Sequence, residues 1–137
     1  MIYRQKLSLP ARGPGLHSIT ENLARLVGES GITQGLCSVF IQHTSASLLI
    51  TENADPAVRR DLIRYFEKLA PESAEYEHDD EGADDMPAHL RAALTPISET
   101  IPVENGRLML GTWQGVYLYE HRRARHERKL IVTVMGD

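Results

Sequence analysis

From residue 2 to residue 9 the chain alternates. Tyr3, Gln5, Leu7 and Leu9 fall on one face and Ile2, Arg4, Lys6 and Ser8 on the other, the period-two pattern of a half-solvated strand. The run PARGPG then breaks the alternation. Ile19, Leu23, Leu26 and Val27 recur at helical spacing behind a Ser18–Glu21 capping-box signature, and Ser30 and Gly31 close this first helix. A strand is predicted from Leu36 to Ile41, with Leu48 to Thr51 as a second strand or its continuation. Asp55 as cap, Pro56 at the first helical position and the stripe Val58, Leu62, Tyr65, Phe66, Leu69 predict a second helix ending near Pro71.

Residues 72 to 85 hold eight acidic side chains and no Lys or Arg, which reads as an acidic loop. A short third helix follows: Asp84 or Asp85 caps it, Pro87 sits in its first turn, Leu90 and Leu94 face the core, and Thr95–Pro96 stops it. From Ile97 onward ISETIPV, the turn ENG, RLML, GVYLYE and KLIVTVM read as short strands. Strands at both ends with helices gathered in the middle predict an α+β fold with a mostly antiparallel sheet.

At 137 residues the chain fits one domain, 1–137, with enough length to bury a core. Its 42% hydrophobic and 25% charged content is that of a soluble globular protein. The net charge of -4 argues against a nucleic-acid partner. Cys37 is the single cysteine, which excludes an intrachain disulfide and a Cys-rich zinc cage and fits a reducing compartment. No stretch approaches the ~20 apolar residues that span a bilayer, so the expectation is a cytoplasmic protein without membrane contact.

Three stretches carry candidate chemistry. In QHTSASLLITENADP, residues 42 to 56, a strand continuing past Ile41 would put Val39, Ile41, His43, Ser45 and Ser47 on one face, an apolar row turning polar without changing sides. Either His43 is a boundary histidine where the strand leaves the core, or it belongs to a site; Asn53 and Asp55 equally suit a turn and an N-cap. In YEHDDEGADDMPAH, residues 76 to 89, two histidines stand among carboxylates, a composition that can hold a divalent cation or tune an imidazole, and Asp85 and His89 lie four apart on one helical face. A solvated acidic loop explains it as well, and the spacing is not that of an EF-hand, because position twelve would be Ala88. In LGTWQGVYLYEHR, Gly111 and Gly115 bracket Thr112, Trp113 and Gln114, either a turn that admits a ligand or a hairpin with a packed Trp. GPGLHS lacks a complete phosphate-loop fingerprint, and HRRARHERK reads as a solvated basic hairpin end.

Together, in this order and along the whole chain, these stretches resemble the YjbQ family (UPF0047), described in places as secondary thiamine-phosphate synthase. The resemblance implies an α+β domain of two antiparallel layers with flanking helices, assembled as a homotrimer. It implies a site drawing on His43, Asp85 and His89 for catalysis. Thr44, Ser45, Asn53, Asp55, Gly111, Thr112, Trp113, Gln114 and Glu120 would bind substrate, with His43, His78 and His89 as metal ligands. The expected picture has His43 and His89 converging, with His78, on a pocket closed by the GTWQG turn. His121 and His126 are left without an assigned place. The implied reaction joins a pyrimidine diphosphate to a thiazole phosphate with loss of diphosphate, with Mg²⁺ neutralising the leaving group. The alternatives are a hydrolase or phosphate-ester enzyme using Zn²⁺ or another divalent ion, and a non-catalytic trimer that binds a small phosphorylated metabolite.

Overall fold

The computed structural model describes residues 1–11 and 13–137. It contains eleven elements: β1 (Ile2–Ala11), β2 (Gly15–Ser18), α1 (Thr20–Ser30), β3 (Gln34–Ile41), β4 (Ala46–Glu52), α2 (Pro56–Leu69), α3 (Asp85–Leu94), β5 (Ser98–Glu104), β6 (Arg107–Leu108), β7 (Gln114–Glu120) and β8 (His126–Gly136). Two sheets form, one of order β1-β8-β3-β5-β6 and one of order β2-β7-β4, and every pairing is antiparallel.

Period two explains how they stack. Cys37, Val39 and Ile41 of β3, Ile101 and Val103 of β5, and Leu130, Val132 and Val134 of β8 bury one face of the larger sheet. They share a single core with Leu48 of β4, Val116 and Leu118 of β7, and Leu23, Leu26 and Val27 of α1. The opposite face of the smaller sheet, carrying Tyr117, Tyr119 and Ser47, is covered by α2 and α3. Phe66 meets Tyr119 edge-on at 6.0 Å, and the Arg59 guanidinium donates to the Tyr117 hydroxyl at 3.3 Å. Thr95, at the end of α3, lies 2.6 Å from the Ser47 hydroxyl. Among the described residues no helix is long and apolar enough to cross a membrane.

Two local expectations are corrected. Ser18 caps nothing. It is the last residue of β2, a strand the pattern did not predict, paired with Tyr117, and Ile19 takes the N-cap position without a side-chain cap. Leu94 does not anchor α3: it is 59% exposed and Leu90 is half-buried, while Ala88, Arg91 and Ala92 are buried. Arg91 is drawn inward because its guanidinium donates to the Phe66 and Ala70 carbonyls at the end of α2. The α2 stripe covers the sheet without one fully buried side chain. The strand ends at Ile41, as the pattern predicts, and β4 begins at Ala46, so of the two readings of His43 the one in which the strand leaves off before it holds.

Candidate metal centre

The central geometry is a convergence of four side chains. Ligand atoms of His78, Glu81, Asp85 and His89 all lie within 4.8 Å of one another. Asp85 opens α3 and His89 stands one turn later, so both project from the same helical face. His78 and Glu81 come from the acidic loop that leads into that helix. Asp85 Oδ2 is the hub, 2.6 Å from His78 Nε2 and 3.1 Å from His89 Nε2, and Glu81 Oε2 lies 3.3 Å from His78 Nε2.

Outer partners hold Asp85 and His89. The Arg122 guanidinium donates to Asp85 Oδ1 at 2.5 Å, leaving Oδ2 for the centre. The Arg123 backbone N–H donates to Asp84 Oδ2 at 2.9 Å, tying the start of α3 to the segment after β7. His89 Nδ1 donates to the Thr44 carbonyl at 2.9 Å. That bond fixes the tautomer: in neutral His89 the Nε2 lone pair points at the Asp85 carboxylate, two acceptors face to face. Only a cation between them, a metal ion or a second proton, makes such a contact favourable.

The carboxyl of Asp85 is driven up by burial, yet it is held below the usual carboxylate range by the bond from His78 and the charge of Arg122. Asp84 is likewise opposed by burial but lowered by Arg123 and Arg122. His78 is raised, chiefly by its bond to Asp85.

His43 sits beside this centre rather than in it. Its Nε2 accepts the Lys129 backbone N–H at 2.8 Å, so the lone pair that would bind a metal is occupied. Burial lowers its pKa, and the charge of Arg128 lowers it further. His43, Thr44 and His89 nevertheless line one cleft of about 340 Å³ with Ala92, Ala93 and Ile97.

Ser45 and Glu120 lie deeper. Glu120 is 0% exposed; its carboxylate is bidentate to Arg128, with Nε at 2.6 Å and Nη2 at 2.5 Å, and also accepts from the His121 and Arg122 backbone N–H groups. Arg128 extends to the Ser45 hydroxyl at 3.1 Å. With its oxygens engaged and no exposure, Glu120 positions Arg128 and Ser45 rather than touching a ligand.

The remaining expected residues gather elsewhere. Asn53 Nδ2 donates to the Thr112 and Gln114 carbonyls, Gln114 Oε1 accepts the Gly111 N–H, and Asp55 caps α2 through Ala57 N. Trp113 is 64% exposed. Within one chain the GTWQG turn does not close the histidine cleft. The β4–β7 register places Gln114 opposite Glu52 and Glu120 opposite Ala46, so the turn and Ala46 lie at opposite ends of β4, roughly 20 Å apart at ~3.3 Å per residue. His121 packs under the helices against Ser47, and His126 bonds the Ala124 carbonyl in a separate cleft.

The pattern did not single out Glu81, Arg122 or Arg128. Glu81 had a usable signal, three residues after His78 and four before Asp85. The arginines had none, because the basic run that contains them looks solvated until Asp84, Asp85 and Glu120 are folded against it.

Comparison with known proteins agrees with the architecture. The family model described as "UPF0047 protein YjbQ-like" matches residues 5–137. A UPF0047 protein of Synechocystis sp. is 52% identical over 98% of this chain and 92% of its own. The YjbQ protein of Salmonella typhimurium is 45% identical over 100% of both chains. A crystal structure of a YbjQ-like protein of unknown function from Sulfolobus solfataricus superposes with a TM-score of 0.91 at 28% identity, covering 100% of this chain and 99% of the other. A conserved hypothetical protein from Thermus thermophilus gives 0.86 at 31% identity over 96% and 99%. The chain belongs to the YjbQ-like UPF0047 family.

Proposed function

We propose that this protein is a divalent-metal-dependent enzyme acting on a small phosphorylated molecule, with His78, Glu81, Asp85 and His89 as the metal ligands. The observation that carries the reading is the fixed tautomer of His89, whose free Nε2 faces Asp85 Oδ2 at 3.1 Å among two further donors. Two imidazoles with carboxylates suit Zn²⁺, Mn²⁺ or Fe²⁺ better than Mg²⁺, which favours oxygen ligands. Bound there, the ion supplies charge neutralisation for phosphate oxygens and makes water more acidic. The chain contributes the rest. Arg122 holds Asp85, the Thr44 carbonyl holds His89, and His43, with its Nε2 occupied, presents a proton on Nδ1 as a donor.

Titration calorimetry on chelator-treated protein tests the centre. One Zn²⁺ or Mn²⁺ per chain is expected, weakened at least ~10-fold by Asp85→Asn or His89→Ala. Failure of both ions to bind and to raise the melting temperature rejects the reading. The synthase activity that the resemblance implies would use the same ion on a leaving diphosphate. Product analysis separates the two. Metal-dependent release of inorganic phosphate from simple phosphate monoesters supports the hydrolytic reading, and thiamine phosphate plus diphosphate from the two precursors supports the synthase.

Self-association is part of the proposal. The outer face of the larger sheet leaves Leu36, Phe40 and Met135 each 43% exposed, with Leu36 directly opposite Met135 in register, an apolar face suited to a homotrimer. Light scattering is expected to give three chains per particle.

A further inference from the structure

The second feature built on His89 is the cleft beside the centre, and its assignment rests on the proposed metal centre. Its walls are Ala92, Ala93 and Ile97, and its polar atoms are largely engaged. The Thr44 carbonyl takes the His89 proton, His43 Nε2 takes the Lys129 N–H, and the Ile97 carbonyl takes the Ile41 N–H. What remains is hydrocarbon, with His43 as a donor. A cavity of about 150 Å³ accepts benzene, so about 340 Å³ has room for a substituted ring or a short branched chain.

The other clefts at the centre have a different character. Those touching His78 are lined by Glu72, Glu75 and Asp79, or by Glu77, Asp79 and Asp80, and repel an anion. The cleft lining, by contrast, contains no carboxylate, and behind it the Arg128 guanidinium is paired with Glu120 and bonded to Ser45. An anion therefore meets the less repulsive field where the hydrocarbon walls are.

We infer that the ligand of this site is an anion with an apolar body, its charged head at the His78–Asp85–His89 centre and its body in the Ala92–Ala93–Ile97 cleft. Size and hydrophobicity next to the phosphate then decide which substrate is accepted. The cleft is the specificity pocket, and the acidic loop at His78 turns anions away from the opposite side.

The probes are methylphosphonate and phenylphosphonate, titrated calorimetrically into Zn²⁺-loaded protein and, separately, into chelator-treated protein. Phenylphosphonate is expected to bind ~10-fold or more tightly than methylphosphonate to the loaded protein, the gain from burying a ring in a half-open apolar cleft. Ala93→Trp fills the cleft from an exposed helix position and abolishes that gain, while Zn²⁺ binding and the melting temperature, measured alongside, report whether the centre and the fold persist. Ile97→Ser removes one wall and reduces the gain.

Equal affinities for the two phosphonates, or a gain that survives Ala93→Trp, overturn the inference. Zn²⁺ binding is read first, so loss of the metal reading is seen independently. In that event the metal-free titration decides: a ring-dependent gain that Ala93→Trp removes upholds the cleft as the site of the apolar body, and its absence rejects the cleft too.

Discussion

His121 shows how far a single residue's environment departs from its place in the sequence. It is 2% exposed, with Nε2 2.9 Å from the Ser47 hydroxyl and Nδ1 unpartnered among the described residues. Burial, aided by the charges of Arg91 and Arg128, pushes its pKa down to about 3. A histidine lowered on folding from its ordinary ~6.5 takes up a proton only when the chain unfolds, so its contribution to stability is full above that value and declines as pH falls toward 3. His78 acts in the opposite sense, because its value is raised, but its side chain is 40% exposed and water screens the effect. Urea unfolding of the wild type between pH 6 and 4 is expected to lose stability by up to about 1.4 kcal/mol per pH unit from His121. His121→Gln should flatten that slope, and an unchanged slope would show that His121 does not carry it. Nothing in the local sequence separates His121 from His126, yet one is buried beneath two helices and the other bonds its own turn.

Elements with strong local signals form where the pattern puts them. α2 begins at Pro56 with Asp55 Oδ1 accepting the Ala57 N–H at 2.9 Å, because cap and proline act within four residues and need no distant partner. α1 starts without its apparent capping box, because Ser18 is committed to pairing with β7, a strand about a hundred residues away. The orientation of α3 is likewise set from outside. Arg91 turns inward to satisfy the last carbonyls of α2, so Leu94, which looks like an anchor, is exposed and Leu90 is only half-buried. Arg91→Met, which keeps much of the aliphatic stem, is expected to cost about 1–3 kcal/mol by leaving those carbonyls short of a donor. Faster amide exchange at the C-terminal turn of α2 should accompany the loss. An unaltered exchange pattern would mean that water replaces the guanidinium there.

Across the whole molecule the two sheets are joined at one end by charge. Val116 and Leu118 of β7, and Leu130 and Val132 of β8, point into the shared core, and the same inward-facing rows end in Glu120 and Arg128. The pair is buried and bidentate, and it braces Ser45 directly before β4. Glu120→Ala strands a buried guanidinium and is expected to destabilise by about 3–5 kcal/mol, whereas Glu120→Leu combined with Arg128→Met should cost clearly less, since no unpaired charge is left. Denaturant midpoints of the single and double variants test this ordering. Because Ser45 and Thr44 neighbour each other, the single variant should also weaken metal binding through His89.

The sequence by itself determined the strand and helix pattern from period two and period 3.6, the antiparallel α+β class, and the stretch that supplies His78, Asp85 and His89. These are local properties: spacing along a helix or a short loop fixes which side chains can meet, and Asp85 and His89 meet for that reason alone. Tertiary structure decided that His43 lends its Nε2 to Lys129, that Arg122 serves Asp85, that Glu120 is sealed against Arg128, and that the GTWQG turn lies at the far end of β4 from the histidines. Each of these depends on strand register or on a partner dozens of residues distant. A shift of one residue in that register reverses which face a side chain takes, and nothing in a short stretch of sequence records the register its distant partner imposes.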